Sequence, residues 1–223
     1  MADEEGGDRK SRAASPVLIT DPDERARKEA ANGLAQYDAV VSLVEQHRDE
    51  KRPFKLRLST ILALHRVALE GISSFAGNFR PSTVEILGSK HEPIPAHLVP
   101  EHVEEMCDYV NDNWQAAAPL HLAAYMMWRL NWIHPFDDGN GRTSRAVSYL
   151  VLCMRLGYPL PGTNTIPEQI AANKNPYYDA LELADAAWKN GQIDVSALEK
   201  LLGDYLSAQL VGVVEQATGS PIR

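Results

Sequence analysis

Cysteine is scarce. Cys107 and Cys153 are the only two thiols in 223 residues, with no CxxC pair and no Cys/His cluster. That excludes a disulfide framework and argues against a structural zinc site. It points to a reducing compartment, the cytoplasm, with delivery into another cell left open. Positive charge is also short: 22 Lys and Arg stand against 30 Asp and Glu, a net charge of −8. A partner bound by phosphate neutralisation calls for the opposite balance, so nucleic acid is disfavoured, although a local basic pocket is not. Long apolar runs are missing. The most apolar stretch, residues 116–133, is interrupted by Pro119, His121, Arg129 and Asn131, so no membrane partner is expected. Residues 1–16 lack the apolar segment of a signal peptide. Neither G-x-S-x-G nor a Walker A loop occurs, which removes support for a serine hydrolase or a P-loop enzyme.

What is present is an ordinary globular composition, long enough for one domain with extensions. Residues 1–16, rich in Asp, Glu, Gly, Ser and Arg and without periodicity, read as a disordered leader. Residues 17–55 read as a helical extension, with Leu34, Tyr37, Val40, Val41 and Val44 at helical spacing. Residues 56–190 form the expected core domain, and residues 191–223 a C-terminal helix. Ser59 is a candidate cap for the core's first helix, and Ser196-x-x-Glu199 has the form of a capping box. Residues 120–133, apolar nearly all round, predict a buried central helix. The one convincing strand signal is the alternating run 83–87, bounded by Pro81 and Gly88, read as a hairpin or flap. Its edge suits pairing with an extended peptide. The fold class is therefore mainly α, a helical bundle with a small β element.

One segment carries chemistry: HPFDDGNGRTSR, residues 134–145. Pro135 and two glycines interrupt the helical pattern. Gly139 and Gly141 allow a tight turn whose N–H groups feed a helix N-terminus, an arrangement that binds anions. Arg142 and Arg145 lie three apart on the first turn, where their charge opposes the helix dipole and an arriving anion would remove the conflict. Asp138 suits a Mg2+ shared with phosphates. His134 stands at the entrance as a candidate general base. Blander roles remain open: His134 as a helix-end cap, Asp138 as a turn former, and the arginines as surface groups paired with Asp137 or Asp138. His91, His97, His102 and His121 lack metal-site spacing and read as surface loop residues.

The segment resembles the signature of the Fic family, H-x-F-x-[DE]-G-N-G-R-x-x-R, at every specified position. With usage near one in twenty, a chance match is on the order of 10⁻⁹ to 10⁻¹⁰ per start site. The likeness extends, more loosely, to LALHRVAL, AGNFR and VEILGS before the motif and NPYYDALELAD after it, over roughly residues 56–189. The resemblance implies a Fic-type helical bundle with a β-hairpin flap and transfer of AMP from ATP to a Ser, Thr or Tyr hydroxyl of a target protein. It implies His134 as the base, Asp138 as the Mg2+ ligand, and Gly139, Asn140 and Gly141 as an anion hole. Arg142 and Arg145 would meet the β- and γ-phosphates, and Phe136 would anchor the loop. Tyr177 and Tyr178 fall where the family places adenine contacts, with core packing as the equal alternative. Transfer of another nucleotide or phosphate-containing group is the near rival. A nucleotide-sensing module with little catalysis is the rival of another class, and a DNA-binding regulator a third reading. The family's inhibitory pattern, [ST]-x-x-x-E-[GN], is not completed: Thr20-x-x-x-Glu24 precedes Arg25, and Glu29 precedes Ala30. Both glutamates read as solvated, and an antitoxin or self-association partner stays open.

Overall fold

A computed structural model describes residues 9–12, 18–49 and 53–219. Strand β1 (Lys10–Arg12) is followed by helices α1 (Pro22–Asp49) and α2 (Leu58–Leu69), strand β2 (Glu85–Leu87), a 3-10 turn (Ala96–Leu98), α3 (Val99–Asp112), α4 (Pro119–Ile133), α5 (Asn140–Leu156), α6 (Ile166–Ala172), α7 (Asn175–Trp188) and α8 (Ser196–Thr218). The mainly α expectation holds.

Helix α4 is the centre of the core. Its residues from Leu122 to Leu130 are all buried, as a helix without a polar face must be. Helices α3, α5, α7 and α8 pack around it, and α1 and α2 close over α5. The one charged residue in that buried run, Arg129, lies among three indoles, its guanidinium 4.2 Å from the Trp132 ring and 4.6 Å from the Trp188 ring. The weakly hydrated guanidinium is suited to such an aromatic setting.

Helix α1 docks through amides as well as aliphatics. Val40 and Val44 are buried as expected, but Leu34 is 71% exposed. The inner face continues through Asn32 and Gln36. The Asn32 side chain donates to the carbonyls of Ala68 (3.2 Å) and Glu70 (2.9 Å), and that of Gln36 to Leu64 (3.0 Å). The two Asn32 bonds satisfy carbonyls at the end of α2 that have no intrahelical donor, while Gln36 adds a second donor to a carbonyl inside the helix.

Three local expectations are corrected. Helix α2 starts at Leu58 behind Arg57, so Ser59 is inside the helix and not its cap. Val195, not Ser196, precedes α8, and Glu199 pairs with His121 at 2.8 Å instead of closing a capping box. A capping box forms elsewhere, between Thr165 and Glu168 at the start of α6. The third correction concerns the sheet. Strand β2 has no neighbour from its own loop among the described residues. It pairs antiparallel with β1, with Lys10 opposite Leu87, Ser11 opposite Ile86 and Arg12 opposite Glu85. Part of the expected disordered leader is thus a strand of the flap. The remainder of that leader, residues 1–8 and 13–16, lies outside the described residues.

The central position of α4 yields a stability test. Leu130 is fully buried. Leu130→Ala is expected to destabilise the domain by about 2–5 kcal/mol through lost transfer energy and a residual cavity, measured by urea unfolding.

Candidate active site

The site is built on the reversal between α4 and α5. Helix α4 ends at His134, whose backbone is left-handed at φ 52°, an unusual state for a residue with a Cβ. Arg80 holds the turn. Its backbone N–H donates to the Pro135 carbonyl at 2.9 Å, and its guanidinium donates to the carbonyls of His134 (2.7 Å), Ser82 (2.9 Å) and Ile94. Phe136 plugs the loop into the core, stacked on His65 at 3.6 Å. Asn140 locks it from the other side. Its side chain accepts from the Phe136 N–H (2.9 Å) and donates to the Phe136 carbonyl (2.8 Å). Gly139 sits at φ 78° before α5, and a Cβ there would overlap the Leu69 side chain, so conformation and space both require glycine.

Helix α5 begins with no side-chain cap. Its N-terminus opens on a cleft of about 600 Å³ lined by His134, Asp138, Gly139, Asn140, Gly141, Arg142, Arg145, Tyr177 and Tyr178. The structure therefore brings nine of the ten expected site residues to one cleft, and the tenth, Phe136, is buried in the core. The side chain of Asn140 is committed to Phe136, which leaves its backbone N–H as the group at the helix end. Tyr177 is buried, its hydroxyl accepting from the Asn131 amide at 2.7 Å. Tyr178 lies under the guanidinium of Arg9, 4.3 Å from the ring centroid.

The electrostatics are specific. Asp138 accepts from the Gly139 N–H (2.6 Å), from Arg142 (3.1 Å) and from Arg25 of α1 (2.7 Å). Burial by itself would raise its carboxyl pKa. Arg142, the Gly139 amide and Arg25 together outweigh burial and hold it below the usual range. Glu29 lies 3.4 Å from Arg142 and accepts from Arg25 at 3.1 Å. The expectation that Glu24 and Glu29 are both solvated holds for Glu24, which is exposed, and fails for Glu29. The turns of α1 bring Arg25 and Glu29 to the same face, so one meets the carboxylate and the other the arginine. A divalent cation shared with phosphate fits this donor set. Mg2+ is commonly held by one or two protein carboxylates plus substrate oxygens. Asp138 supplies one carboxylate, the Arg25 guanidinium already places a positive charge against it, and no group of three ligating side chains exists among the described residues.

His134 is buried and its pKa is pushed down to about 3, chiefly by desolvation. Its Nδ1 faces the Asn131 carbonyl at 3.3 Å, which can only accept. The proton therefore sits on Nδ1, and Nε2 carries a free lone pair toward the cleft. There it meets the Ser11 hydroxyl at 2.8 Å. His65 is similarly fixed: Nδ1 accepts from the Gly77 N–H and Nε2 donates to the Asp138 carbonyl, with burial lowering its pKa to about 4.

Several lining residues gave no sequence signal. Arg9, Ser11 and Arg25 come from segments distant from the motif, and Asp185 closes the NPYYDALELAD segment without having been singled out. His91, expected to be a surface loop residue, reaches into the cleft wall and bonds the Trp132 carbonyl at 2.7 Å. His102 and His121 lie on α3 and α4, not on loops.

A model of the Fic/DOC family matches residues 55–152. The chain carries a Fic/DOC family domain. Its α4–α5 reversal lies inside the matched range, and the β1 strand and α1 lie before it. The domain is similar to the protein adenylyltransferase fic-1 of Caenorhabditis briggsae, 30% identical over 156 residues, 69% of this chain and 29% of the relative. It is also similar to the protein adenylyltransferase Fic of Drosophila willistoni, 35% identical over 133 residues, 59% of this chain and 25% of the relative. The chain thus spans under a third of the length of these curated relatives. The solved structure of Fic-1 (residues 134–508 of that protein) from Caenorhabditis elegans shares the fold. Its TM-score is 0.68 at 24% identity, with 91% of this chain and 55% of that one covered.

The two buried imidazoles of the Fic domain predict a pH dependence. In the unfolded chain they titrate near 6.5. Between about pH 4 and 6.5 the folded form keeps both neutral while the unfolded form binds protons, so stability falls as pH falls through that window. The slope is up to about 1.4 kcal/mol per pH unit for each histidine. Urea unfolding at pH 7 and pH 5 measures it. His65→Asn is expected to flatten the slope, and an unchanged slope contradicts the assignment to His65.

Proposed function

We propose that this Fic domain is a protein adenylyltransferase, moving AMP from ATP to a Ser, Thr or Tyr hydroxyl of a target protein. The observation that carries the reading is the unprotonated Nε2 of His134 facing a hydroxyl at 2.8 Å, in the same cleft as the uncapped start of α5 and its arginines. The imidazole is neutral at neutral pH and its Nε2 lone pair is within hydrogen-bond reach of a hydroxyl, the geometry a general base needs. The names of the curated relatives supply the adenylyl group.

In this reading His134 takes the proton of the target hydroxyl as its oxygen attacks the α-phosphorus. The N–H groups at the start of α5 face the phosphate oxygens, and Arg142 and Arg145 neutralise the departing pyrophosphate. Asp138 would hold Mg2+, which would supply further charge neutralisation. Arg25 would have to leave Asp138 for this, and Glu29 would yield Arg142 to phosphate. Phe136, Asn140 and Arg80 position the loop and touch no substrate. Tyr178 borders the space for the base, while the buried Tyr177 sets its floor. A cytoplasmic setting accords with the two buried free thiols. Among the described residues no helix is long and apolar enough to cross a membrane.

Intact-mass spectrometry after incubation with Mg2+ and each of the four nucleoside triphosphates tests the reading. AMP addition from ATP is the expected result, and addition of a different nucleotide replaces the adenylyl assignment. His134→Ala is expected to abolish transfer while leaving ATP binding intact, with circular dichroism confirming the fold. Retained transfer in that variant removes His134 as the base. Arg145→Ala is expected to weaken ATP binding roughly ten- to hundredfold, the loss of one charge-assisted contact, and ADP binding much less. Calorimetry with both ligands measures the difference, and equal losses would make Arg145 an organiser of the loop.

A further inference from the structure

Strand β1 brings its own hydroxyl to the base. Along Lys10–Arg12 the side chains alternate: Lys10 and Arg12 are exposed, and Ser11 between them turns inward. The pairing of Ser11 with Ile86 fixes how far along the flap that hydroxyl stands. It stands 2.8 Å from His134 Nε2, the nitrogen without a proton. The strand is held at both ends. Arg9 lies over the Tyr178 ring, donates its backbone N–H to the Tyr178 hydroxyl at 3.2 Å and pairs with Glu182. Arg12 pairs with Glu85 on β2 at 3.4 Å. The cleft of about 600 Å³ remains beside β1, within the range of sites that hold drug-sized ligands.

We propose that Ser11 is an acceptor of AMP in cis: the domain modifies its own β1 strand, which occupies the flap edge as a target strand would. The proposal rests on adenylyl transfer as the activity and names a substrate for it. In the step, the Ser11 Oγ bonds to the α-phosphorus of ATP and its proton passes to His134 Nε2. The bond from the α-phosphorus to the bridging oxygen breaks, and pyrophosphate leaves with the electron pair. The product is a Ser11–AMP phosphodiester. No oxidant or further reactant enters.

Three features favour Ser11 over other hydroxyls. The acceptor is already within hydrogen-bond reach of the base, the pairing sets its register, and Arg9 anchors the strand's start on Tyr178. Placing the two groups together in this way removes the entropy of a bimolecular encounter, so Ser11 is expected to exceed any other acceptor on the chain by at least roughly tenfold.

The test uses the chain with ATP and Mg2+, read by intact mass, peptide mapping and pyrophosphate release. The expected result is one AMP on Ser11, formed at a first-order rate unchanged across a roughly tenfold dilution, since a tethered acceptor feels no bulk concentration. Ser11→Ala is expected to lose this modification, and Ser11→Thr, which keeps a hydroxyl on the strand, to retain it. A readout without nucleotide accompanies these. In Ser11→Ala the ¹⁵N resonance of His134 Nε2 is expected to shift, because its hydrogen bond is gone. An unshifted resonance overturns the contact on which the proposal stands. Pyrophosphate release with AMP on another residue, or with none on the chain, overturns Ser11 as acceptor while leaving adenylyl transfer in place. Modification of Ser11 only at a rate rising with protein concentration overturns the cis assignment. No release and no AMP from either the wild type or Ser11→Ala overturns adenylyl transfer and the Ser11 proposal together.

Discussion

The left-handed turn at His134 is the constraint on which the site depends. A helix that continued through residue 134 would carry α4 and α5 apart and scatter the base, the carboxylate and the arginines. The turn is unfavourable for a histidine, and the surrounding structure over-determines it. Arg80 donates to the His134 and Pro135 carbonyls of the turn, Phe136 fills the core directly behind it, and Asn140 bridges back to Phe136. These contacts use backbone groups that the broken helix leaves without partners. The same bonds that satisfy the loop therefore set the direction of the imidazole, and the Asn131 carbonyl completes the arrangement by fixing its proton on Nδ1.

Charge balance at the start of α5 is the second determinant. Arginine at a helix N-terminus works against the dipole, and the folded chain answers with carboxylates. Asp138 and Glu29 lie against Arg142, and Arg25 returns a positive charge to Asp138. The result is a closed square of alternating charges spanning two helices. In the proposed function the two contacts from α1, Arg25 with Asp138 and Glu29 with Arg142, are the ones a bound polyphosphate would replace.

The motif was legible because its information is local. Twelve consecutive residues encode the turn, the helix start and the charged groups, so their order along the chain nearly equals their order in space. The central helix was legible for a similar reason, since burial on every side leaves residues 122–130 with almost no polar members. What escaped reading depends on distant partners. Asn32 and Gln36 look like solvent-facing residues until α2 presents its carbonyls to them. Glu199 satisfied a capping pattern, yet His121, 78 residues away, offered it a better bond. His91 carried no signal, because only the fold turns its loop toward the cleft. Strand β1 is three residues long and shows too little alternation to detect, and its meaning lies entirely in the strand it meets, more than seventy positions later.

The pairing of β1 with β2 also changes the terms on which any foreign strand reaches the flap. Residues 13–21 alone separate β1 from α1, so the resident strand stays close to its edge even when it lets go. Short tethers of this kind give local concentrations of about the millimolar range. A visiting protein present at micromolar levels therefore competes at a disadvantage of about a thousandfold unless its own contacts are stronger. Access to the flap becomes a matter of affinity beyond a threshold, and weak or transient encounters are filtered out before any chemistry begins.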